Sequence, residues 1–195
     1  MQSKIAMVDF SVATSHTQLN KALFLDRDGV VIDYIPYLSQ PEQVRLPHGA
    51  GEALKTWQDA GYLLILITNQ AGVGRGYYTL EDVEAVHTYI RQEYGKLGVS
   101  FEDIFVCPHH PEDNCLCRKP SPEMLIQASK KHQISLSQSF FVGDAPSDLQ
   151  AAIEADCQPV LVLTGRGEET IKNIAQYSTE IKVFAKLSDT VQLID

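Results

Sequence analysis

Two aspartates stand one residue apart at the end of an apolar run near the start of the chain, in the segment FLDRDGVV. Asp26 and Asp28 follow the run ALFL, and a glycine comes directly after them. Carboxylates this close repel each other unless a cation lies between them or one of them holds a proton. The spacing therefore predicts a cation site or a shared proton at this point of the chain.

Phosphoryl transfer through a covalent intermediate is a reaction that uses such a pair. An aspartate can attack phosphorus and form an aspartyl-phosphate, and Mg²⁺ prefers a few carboxylate oxygens together with substrate phosphate. Asp26, Asp28 and Asp144 of the segment GDAPSD can supply the protein's share of a magnesium site. We expect Asp26 to attack, and Asp28 to protonate the leaving alkoxide and then deprotonate the hydrolytic water.

Short apolar runs alternate with amphipathic stretches, and this alternation indicates which elements position the aspartates. Strands are predicted at 22–26, 62–68, 103–107, 139–144, 159–163 and 181–185. Helices are predicted near 49–60, 80–97, 121–132, 146–155, 168–177 and 188–194. Strand and helix in strict alternation predict an α/β fold with a parallel sheet and helices on both faces.

Four polar loops follow the first four predicted strands, with the sequences DRDG, TNQAGVGRG, CPHHP and GDAPSD. Ligands of open α/β sheets bind beyond the carboxyl ends of the strands. Any one of these loops could be only a turn or a helix cap, but four loops of complementary chemistry favour a phosphoryl-transfer site. Thr68 would offer its hydroxyl to the phosphoryl oxygens, and Lys119 would stabilise negative charge in the transition state.

The composition limits the class of protein. A chain of 195 residues with 44% apolar side chains predicts one well-buried domain over 21–195, preceded by an N-terminal extension over 1–20. No apolar stretch approaches the roughly 18 residues of a membrane span, and the N-terminus lacks the apolar core of a secretory signal, so we expect a cytoplasmic protein. The net charge of -9 argues against a general nucleic-acid binder. We expect a monomer, because no surplus apolar helix face stands out.

The order and spacing of these motifs resemble the haloacid dehalogenase superfamily. Its four motifs match DRDG, ITN, Lys119 in CRKP and GDAPSD, and the match runs from about Lys21 to the C-terminus. The resemblance implies a Rossmann-like fold, with Asp26 as the nucleophile and Asp28 as general acid and base and as donor of a backbone oxygen to the metal. It also implies that Asp144 completes the Mg²⁺ site. The loops here are too short for the large cap domain that often encloses the substrate in this superfamily.

A cluster of cysteine and histidine residues follows the third predicted strand. Four candidate ligands have the spacing C-x-H-x5-C-x-C, namely Cys107, His109, Cys115 and Cys117. They suit a tetrahedral structural zinc, and clustered cysteines in a cytosolic protein indicate a metal sooner than disulfides. His110 is the alternative imidazole, and the resemblance favours His109. Zinc would fold the loop 107–117 and hold the RKP segment against the active site, whereas Cys157 is expected in the core.

A zinc loop followed by CRKP resembles one branch of the superfamily, which contains the D-glycero-D-manno-heptose 1,7-bisphosphate 7-phosphatases and the histidinol-phosphate phosphatases. The segment NQAGVGRGYYT, with Asn69 and Arg75, resembles the heptose enzymes, as does YIPYL with Tyr37. The short zinc loop has the length seen in histidinol-phosphate phosphatases. Because loop length changes easily, we favour the heptose substrate, which would place the enzyme in the synthesis of activated heptose for surface polysaccharide.

The unreactive phosphate of a sugar bisphosphate needs positive charge in addition to Lys119. Arg118, Arg75 and Arg27 are candidates, because arginine can grip a phosphate with two N–H groups. A solvated or salt-bridged surface residue is an equal alternative for Arg75 and for Arg27. Histidinol phosphate, which carries a cationic amine, would instead favour a carboxylate near the mouth such as Asp33.

Two positions depart from the pattern of the branch. Ile32 stands where the heptose enzymes often have asparagine, and Ala145 follows Asp144 where a lysine or arginine is common. Both concern the substrate rather than the phosphatase chemistry. Two further functions stay open at this point. A polynucleotide 3'-phosphatase shares the fold, but the acidic balance and the lack of a basic and aromatic groove disfavour it. A non-catalytic binding protein could also keep the fold.

Overall fold

The computed structural model describes residues 19–194 and contains a six-stranded parallel sheet. Its strands are β1 (Lys21–Leu25), β2 (Tyr62–Asn69), β3 (Asp103–Cys107), β4 (Phe140–Gly143), β5 (Gln158–Val162) and β6 (Lys182–Phe184). All six predicted strands are confirmed, with ends that differ by one residue at most. The predicted extension over 1–20 lies almost wholly outside the described residues, and it stays a prediction.

The α-helices connect these strands. They are α1 (Ala50–Asp59), α2 (Ala71–Gly74), α3 (Leu80–Gly95), α4 (Glu123–His132), α5 (Pro146–Glu154) and α6 (Gly167–Thr170). The first four predicted helices are confirmed as α1, α3, α4 and α5, and α2 is an additional short helix within the loop TNQAGVGRG.

The last two predicted helices are wrong as continuous α-helices. The segment predicted at 168–177 forms α6 and then a 3₁₀ helix over Ile171–Gln176, and the segment predicted at 188–194 is a 3₁₀ helix over Leu187–Leu193. The buried residues of this last helix, Leu187 and Thr190, lie three positions apart. That spacing matches the three residues per turn of a 3₁₀ helix.

The sheet has a hydrophobic core on each face, because alternate residues of a strand point to opposite sides. Leu23 and Leu25 of β1 pack on the face that α1 and α3 cover. Ala22 and Phe24 pack on the other face, against α4 and α5. Both faces of β1 and β2 are therefore dry, which explains why these two strands read as continuous apolar runs rather than as alternating ones.

The connections that could carry a cap domain are short. Between β1 and α1 the only helical turn is a 3₁₀ turn at Pro41–Gln43, and between β3 and α4 the only one is at Pro111–Asp113. The predicted fold class is confirmed, including the lack of a large cap at these two positions. Among residues 19–194, no helix has the length and apolar character that crossing a membrane requires.

Candidate active site

The carboxyl ends of β1 and β4 lie side by side at the centre of the sheet, where the strand order reverses. The order β3-β2-β1-β4-β5-β6 places β2 and β3 on one side and β5 and β6 on the other, which leaves a crevice beyond β1 and β4. Asp26 follows β1, Asp144 follows β4, and Asp148 lies in the first turn of α5. One carboxylate oxygen from each of the three lies within 4.8 Å of the others. The sheet order thus brings together three buried carboxylates from two segments, one after β1 and one after β4.

Asp26 is held in a single orientation by its neighbours. Only 6% of its surface is exposed, and its Oδ1 accepts hydrogen bonds from Lys119 Nζ at 2.9 Å and from the backbone N–H of Arg27 at 2.8 Å. Burial raises the pKa of Asp26 to about 7, because desolvation penalises the charged carboxylate; Lys119 opposes this shift, and Asp148 and Asp144 add to it. A cation bound here would favour the charged, nucleophilic form.

Asp144 has an oxygen that no described residue satisfies. Its Oδ2 accepts a hydrogen bond from the backbone N–H of Arg166 at 2.8 Å, but the buried Oδ1 has no hydrogen-bond partner among residues 19–194. Burial and the charge of Asp148 raise the pKa of Asp144 to about 6. A Cβ at Gly29 or Gly165 would lie 2.4 or 2.0 Å from Oδ2, so both glycines are needed for the backbone to approach. The unsatisfied oxygen within a group of carboxylates fits a hard divalent cation such as Mg²⁺.

Lys119 is the cation that the structure itself supplies to this group. Its Nζ lies 2.9 Å from Asp26 Oδ1 and 2.7 Å from Asp148 Oδ1, and it donates to the carbonyl of Ile67 at 2.7 Å. Burial lowers the pKa of Lys119, but Asp148 and Asp26 outweigh it and the pKa is raised, so the ammonium stays charged. Asn69, predicted to bind substrate, exchanges two hydrogen bonds of 3.1 Å with the backbone of Lys119. Its amide therefore positions the lysine in this structure.

Asp148 is a site residue that the sequence reasoning missed. It is the last residue of GDAPSD, and its Oδ2 accepts a hydrogen bond from the backbone N–H of Ala145 at 3.0 Å. A carboxylate in the first turn of a helix is ordinarily explained as a helix cap. The sequence therefore provides no reason to expect its ion pair with Lys119. The signal that could have found it is its spacing from Asp144, four residues along a predicted helix start.

The two residues that depart from the branch pattern, Ile32 and Ala145, lie outside the cavity wall. Ile32 is fully buried in the hydrophobic core and is not part of the cavity wall. Ala145 is 1% exposed and contributes its backbone N–H to Asp148. Neither side chain lines the cavity.

Asp28 lies beside the carboxylate group, with 21% of its side chain exposed. Arg27 donates to it from Nε and from Nη2, and Gln70 donates to it from Nε2. The same Gln70 nitrogen donates to Thr68 Oγ1 at 2.8 Å. Arg27 was predicted to bind substrate, but its side chain is 1% exposed and is directed onto Asp28, so the structure favours a role in holding that carboxylate.

A cavity of about 300 Å³ opens above these residues. All five predicted substrate-binding residues line it, namely Arg27, Tyr37, Asn69, Arg75 and Arg118. Tyr37 has a left-handed backbone with φ 55° and packs edge-to-face against Tyr77, with ring centroids 4.8 Å apart. The buried Nη1 of Arg118 has no hydrogen-bond partner among residues 19–194. Asp33, the predicted carboxylate for a histidinol amine, is exposed and is not part of the cavity wall.

Arg166, at the turn after β5, lines the cavity and was not predicted from the sequence. Its guanidinium lies 5.9 Å from the ring centre of Tyr34, and its Nη2 lies 4.0 Å from Asp144 Oδ1. The side chain is half exposed. Arg166 adds positive charge to the cavity near the end of β4. Ala145, which follows β4, has no charged side chain.

The four predicted zinc ligands converge in the loop after β3. Their ligand atoms lie within 4.8 Å of one another, with neighbouring distances from 3.2 to 3.7 Å. Tetrahedral zinc with Zn–S bonds of about 2.3 Å places its ligand atoms about 3.8 Å apart, so the cluster fits such an ion with little adjustment. All four cysteines of the chain are free thiols, and Cys157 is buried in the core as predicted.

The choice between the two histidines follows from their contacts. The Nδ1 of His109 lies 3.7 Å from Cys107 Sγ and 3.2 Å from Cys117 Sγ. His110 instead accepts a hydrogen bond at Nδ1 from the backbone N–H of Glu112, at the start of the 3₁₀ turn. His109 therefore belongs to the metal-binding cluster. Because Cys117 is two residues from Lys119, the cluster anchors one end of the segment that enters the active site.

Comparisons with known proteins agree with this geometry. The HAD-hydrolase-like family model matches residues 116–190. A D-glycero-beta-D-manno-heptose-1,7-bisphosphate 7-phosphatase of Helicobacter pylori is 47% identical over 145 residues, which cover 74% of this chain and 84% of that protein. A D-glycero-alpha-D-manno-heptose-1,7-bisphosphate 7-phosphatase of Photorhabdus laumondii is 38% identical over 175 residues, which cover 86% of this chain and 96% of that one.

A solved structure is similar over most of the chain. It is the D,D-heptose 1,7-bisphosphate phosphatase of Bordetella bronchiseptica in complex with magnesium and phosphate. It superposes with a TM-score of 0.82 at 33% sequence identity, and the match covers 89% of this chain and 97% of that chain. Similarity at this level extends to the whole domain and is not confined to short motifs.

Proposed function

The chain belongs to the haloacid dehalogenase-like hydrolases, and we propose that it is a magnesium-dependent phosphatase that removes the 7-phosphate of D-glycero-D-manno-heptose 1,7-bisphosphate. The observation that carries the chemistry is the group of Asp26, Asp144 and Asp148 around Lys119 at the switch point of the sheet. The observation that supports the substrate is the similarity to the heptose phosphatases of Helicobacter pylori and Bordetella bronchiseptica.

The first half-reaction would transfer the phosphoryl group to the protein. An oxygen of Asp26 attacks phosphorus, the bond between phosphorus and the sugar oxygen breaks, and the electron pair of that bond stays on the sugar oxygen. Asp28 gives its proton to this oxygen, which leaves as an alcohol. Lys119 and the backbone N–H of Arg27 hold Asp26 Oδ1 and thereby orient the carboxylate. The Thr68 hydroxyl would donate to a phosphoryl oxygen.

The second half-reaction would release phosphate. Asp28, now a carboxylate, takes a proton from a water molecule, and the water oxygen attacks phosphorus. The bond between phosphorus and Asp26 breaks, and its electron pair returns to the carboxylate. Asp26, Asp144 and the backbone oxygen of Asp28 would hold Mg²⁺, which supplies positive charge opposite the transferred group.

The second phosphate of the substrate would lie in the cavity among arginines. Arg118, Arg75 and Arg166 line it, and Arg118 has a buried N–H group with no partner among the described residues. An arginine can bind a phosphate through two parallel hydrogen bonds. Asp33, the carboxylate expected for the cationic amine of histidinol phosphate, lies outside the cavity wall.

The cluster of Cys107, His109, Cys115 and Cys117 would hold a structural zinc. Four protein ligands complete a tetrahedral site, so the ion would have no open position for a substrate or a reactive water. Its contribution would be to fold the loop and to hold Arg118 and Lys119 at the site. Metal analysis of protein purified without chelator should find about one equivalent of zinc; well under one equivalent would contradict this ligand set.

We also propose that the protein acts as a monomer in the cytoplasm, on a small phosphorylated sugar and not on nucleic acid. The net charge of -9 supports this, because a general nucleic-acid surface would need basic residues to neutralise phosphates. Size-exclusion chromatography tests the oligomeric state.

Phosphate release in the presence of Mg²⁺ tests the function directly. The substrates to compare are both anomers of the heptose 1,7-bisphosphate and histidinol phosphate, with the Asp26→Asn variant as the blank. We expect kcat/KM for one bisphosphate anomer to exceed that for histidinol phosphate by about 100-fold, or about 2.7 kcal/mol of transition-state binding. A preference for histidinol phosphate would overturn the substrate, and equal turnover by Asp26→Asn would overturn the mechanism.

A further inference from the structure

Three N–H groups converge on the carboxylate of Asp28. Arg27 donates from Nε to Oδ2 at 3.1 Å and from Nη2 to Oδ1 at 3.0 Å. Gln70 donates from Nε2 to Oδ2 at 3.0 Å. A two-point arginine contact restricts the plane of the carboxylate as well as its position. Asp28 is thus fixed in rotation, although 21% of its side chain faces solvent.

The arginine of this contact is itself held from behind. Arg27 is 1% exposed, and its Nη1 lies 3.4 Å from Nε2 of His87 on α3. The His87 ring is buried, and burial lowers its pKa to about 3, so the ring is neutral and Nε2 can accept from the guanidinium. A buried arginine with partners on both sides has no alternative position within reach. His87 of α3 therefore fixes the position of the Arg27 guanidinium, and the guanidinium in turn fixes the Asp28 carboxylate.

Gln70 joins Asp28 to Thr68 through one amide. Tyr78 donates from its hydroxyl to Gln70 Oε1 at 2.9 Å, and this contact turns the amide nitrogen toward Thr68 and Asp28. Gln70 Nε2 donates to Thr68 Oγ1 at 2.8 Å and to Asp28 Oδ2 at 3.0 Å, and the side chain is 2% exposed. Because Thr68 Oγ1 accepts this bond, its own proton is free to point toward a phosphoryl oxygen.

We propose that Arg27 and Gln70 are positioning residues that orient Asp28 so that its Oδ1 carries the proton exchanged with the substrate. Each carboxylate oxygen has about two acceptor positions. Both positions of Oδ2 are filled by Arg27 and Gln70, whereas Oδ1 accepts a single bond, from Arg27 Nη2. Oδ1 is therefore the oxygen with room for a proton. This inference rests on the proposed phosphatase function and deepens it.

A comparison of two leaving groups tests the inference. A sugar alkoxide leaves poorly and needs the proton of Asp28, whereas the phenolate of p-nitrophenyl phosphate leaves without one. The parameter is kcat/KM, because it covers only the steps up to departure of the leaving group. In Arg27→Lys, which keeps the charge but loses the fork, we expect kcat/KM to fall by about 10-fold to 100-fold for the heptose 7-phosphate ester. This loss is a part of the rate enhancement of roughly 10²-fold to 10⁴-fold that general acid catalysis contributes. For p-nitrophenyl phosphate we expect a fall of less than about 3-fold.

Gln70→Leu provides a second variant of similar side-chain volume. It should show the same split between the two esters, and the loss on the sugar ester should appear in kcat, with KM little changed. Matched surface variants are Arg91→Lys on α3 and Gln127→Leu on α4, both at exposed positions. They should keep wild-type ratios for both esters. Thermal unfolding of every variant identifies any that has lost its fold, and the pair of positions keeps the test informative if one variant unfolds.

The possible results distinguish failure of the positioning role from failure of the proposed phosphatase function. Wild-type protein that hydrolyses neither ester would overturn the proposed function, and the positioning role with it. Wild-type activity combined with equal losses on both esters in Arg27→Lys and Gln70→Leu would overturn the positioning role alone, because a general disturbance of the site has no dependence on the leaving group. Wild-type ratios in both variants would overturn it as well.

Discussion

The reaction centre and the cysteine-rich loop both gather four ionisable side chains, but they do so by different means. The reaction centre joins Asp26, Lys119, Asp144 and Asp148, which come from three segments of the chain and are almost wholly buried. The loop brings together four residues within the segment 107–117, and the tip between its last two cysteines, Leu116, is 81% exposed. The sheet holds the first group in place, whereas the loop has little apolar core of its own.

This difference indicates what each metal would do. At the reaction centre the core fixes the backbones of the carboxylates, so an ion there would supply charge. In the loop, Cys107 is buried in the core and Cys115 and Cys117 pack against it only in part, so an ion there would add structural support. Four changes test this contrast, from the largest expected effect to the smallest.

Replacing the nucleophile should abolish turnover and leave the fold intact. Asp26→Asn keeps the size of the side chain and removes the attacking carboxylate, so we expect kcat to fall by about 10³-fold or more. Phosphate release measures it, and Asp59→Asn, at an exposed position of α1, is the matched control. The unfolding temperature of Asp26→Asn should not drop, because the change relieves crowding among buried carboxylates. Residual activity near wild type would exclude the covalent mechanism.

Removing the central cation should destabilise the whole domain. Lys119→Met leaves Asp26 and Asp148 buried without their partner, and we expect the free energy of unfolding to fall by about 3–5 kcal/mol in the absence of Mg²⁺. Chemical denaturation measures this loss. Adding Asp148→Asn to the same chain should recover part of it, because one uncompensated charge is then gone. If the double variant is no more stable than Lys119→Met, the ion pair does not hold the centre together.

Breaking the loop should impair activity more than stability. Cys115→Ser removes one ligand, and we expect loss of bound zinc and a fall in kcat/KM of about 10-fold to 100-fold. The rest of the domain should stay folded, because the loop opens locally. Cys157→Ser is the control, since Cys157 lies outside the cluster and should leave the zinc content unchanged. Full activity in zinc-free Cys115→Ser would show that the loop does not position Lys119.

The buried histidine behind the reaction centre should make stability depend on pH. Burial lowers the pKa of His87 to about 3 in the folded state, below its ordinary value of 6.5. The unfolded chain then binds the extra proton first, so the stabilisation is present above pH 6.5 and is lost as pH falls toward 3. We expect the contribution to drop by about 1–2 kcal/mol between pH 6.5 and pH 5.

Denaturant unfolding at several pH values, with His87→Gln for comparison, checks this expectation. The glutamine variant cannot titrate, so its stability should fall less steeply over the same range. Parallel curves for the two proteins would mean that His87 is protonated in the folded state or does not contribute.

Local sequence signals were sufficient for most of the fold and for part of the site. The apolar runs predicted all six strands to within one residue. For β1, β2, β4 and β5 the reason is burial, because a buried parallel strand must be apolar on both faces. Short-range spacing also singled out the cysteine-rich loop, whose four ligands converge as predicted. The predictions failed where an α-helix was expected over 188–194. There the buried positions, Leu187 and Thr190, follow a three-residue period over a single short stretch, which the helix pattern did not distinguish.

Other parts of the site could not be predicted, because they depend on which segments become neighbours. Arg27 was predicted to bind substrate; it lines the cavity, and its contacts with Asp28 and with His87 of α3 had no signal in the sequence. Asp148 has the sequence position of a helix cap, and only the fold places Lys119 beside it. Gln70 carried no signal, since an amide at the end of a strand has many possible partners.

The amino-acid sequence by itself determined the strands, the polar loops at their carboxyl ends and the spacing of the cysteine-rich cluster, because periodicity and turn chemistry act over a few residues. Only the tertiary structure decided which charges pair. The strand order places the ends of β1 and β4 together, and burial then forces Asp26, Asp144, Asp148 and Lys119 into one group. The energy of a buried ion pair depends on distance and on exclusion of water, and both are properties of the packed molecule.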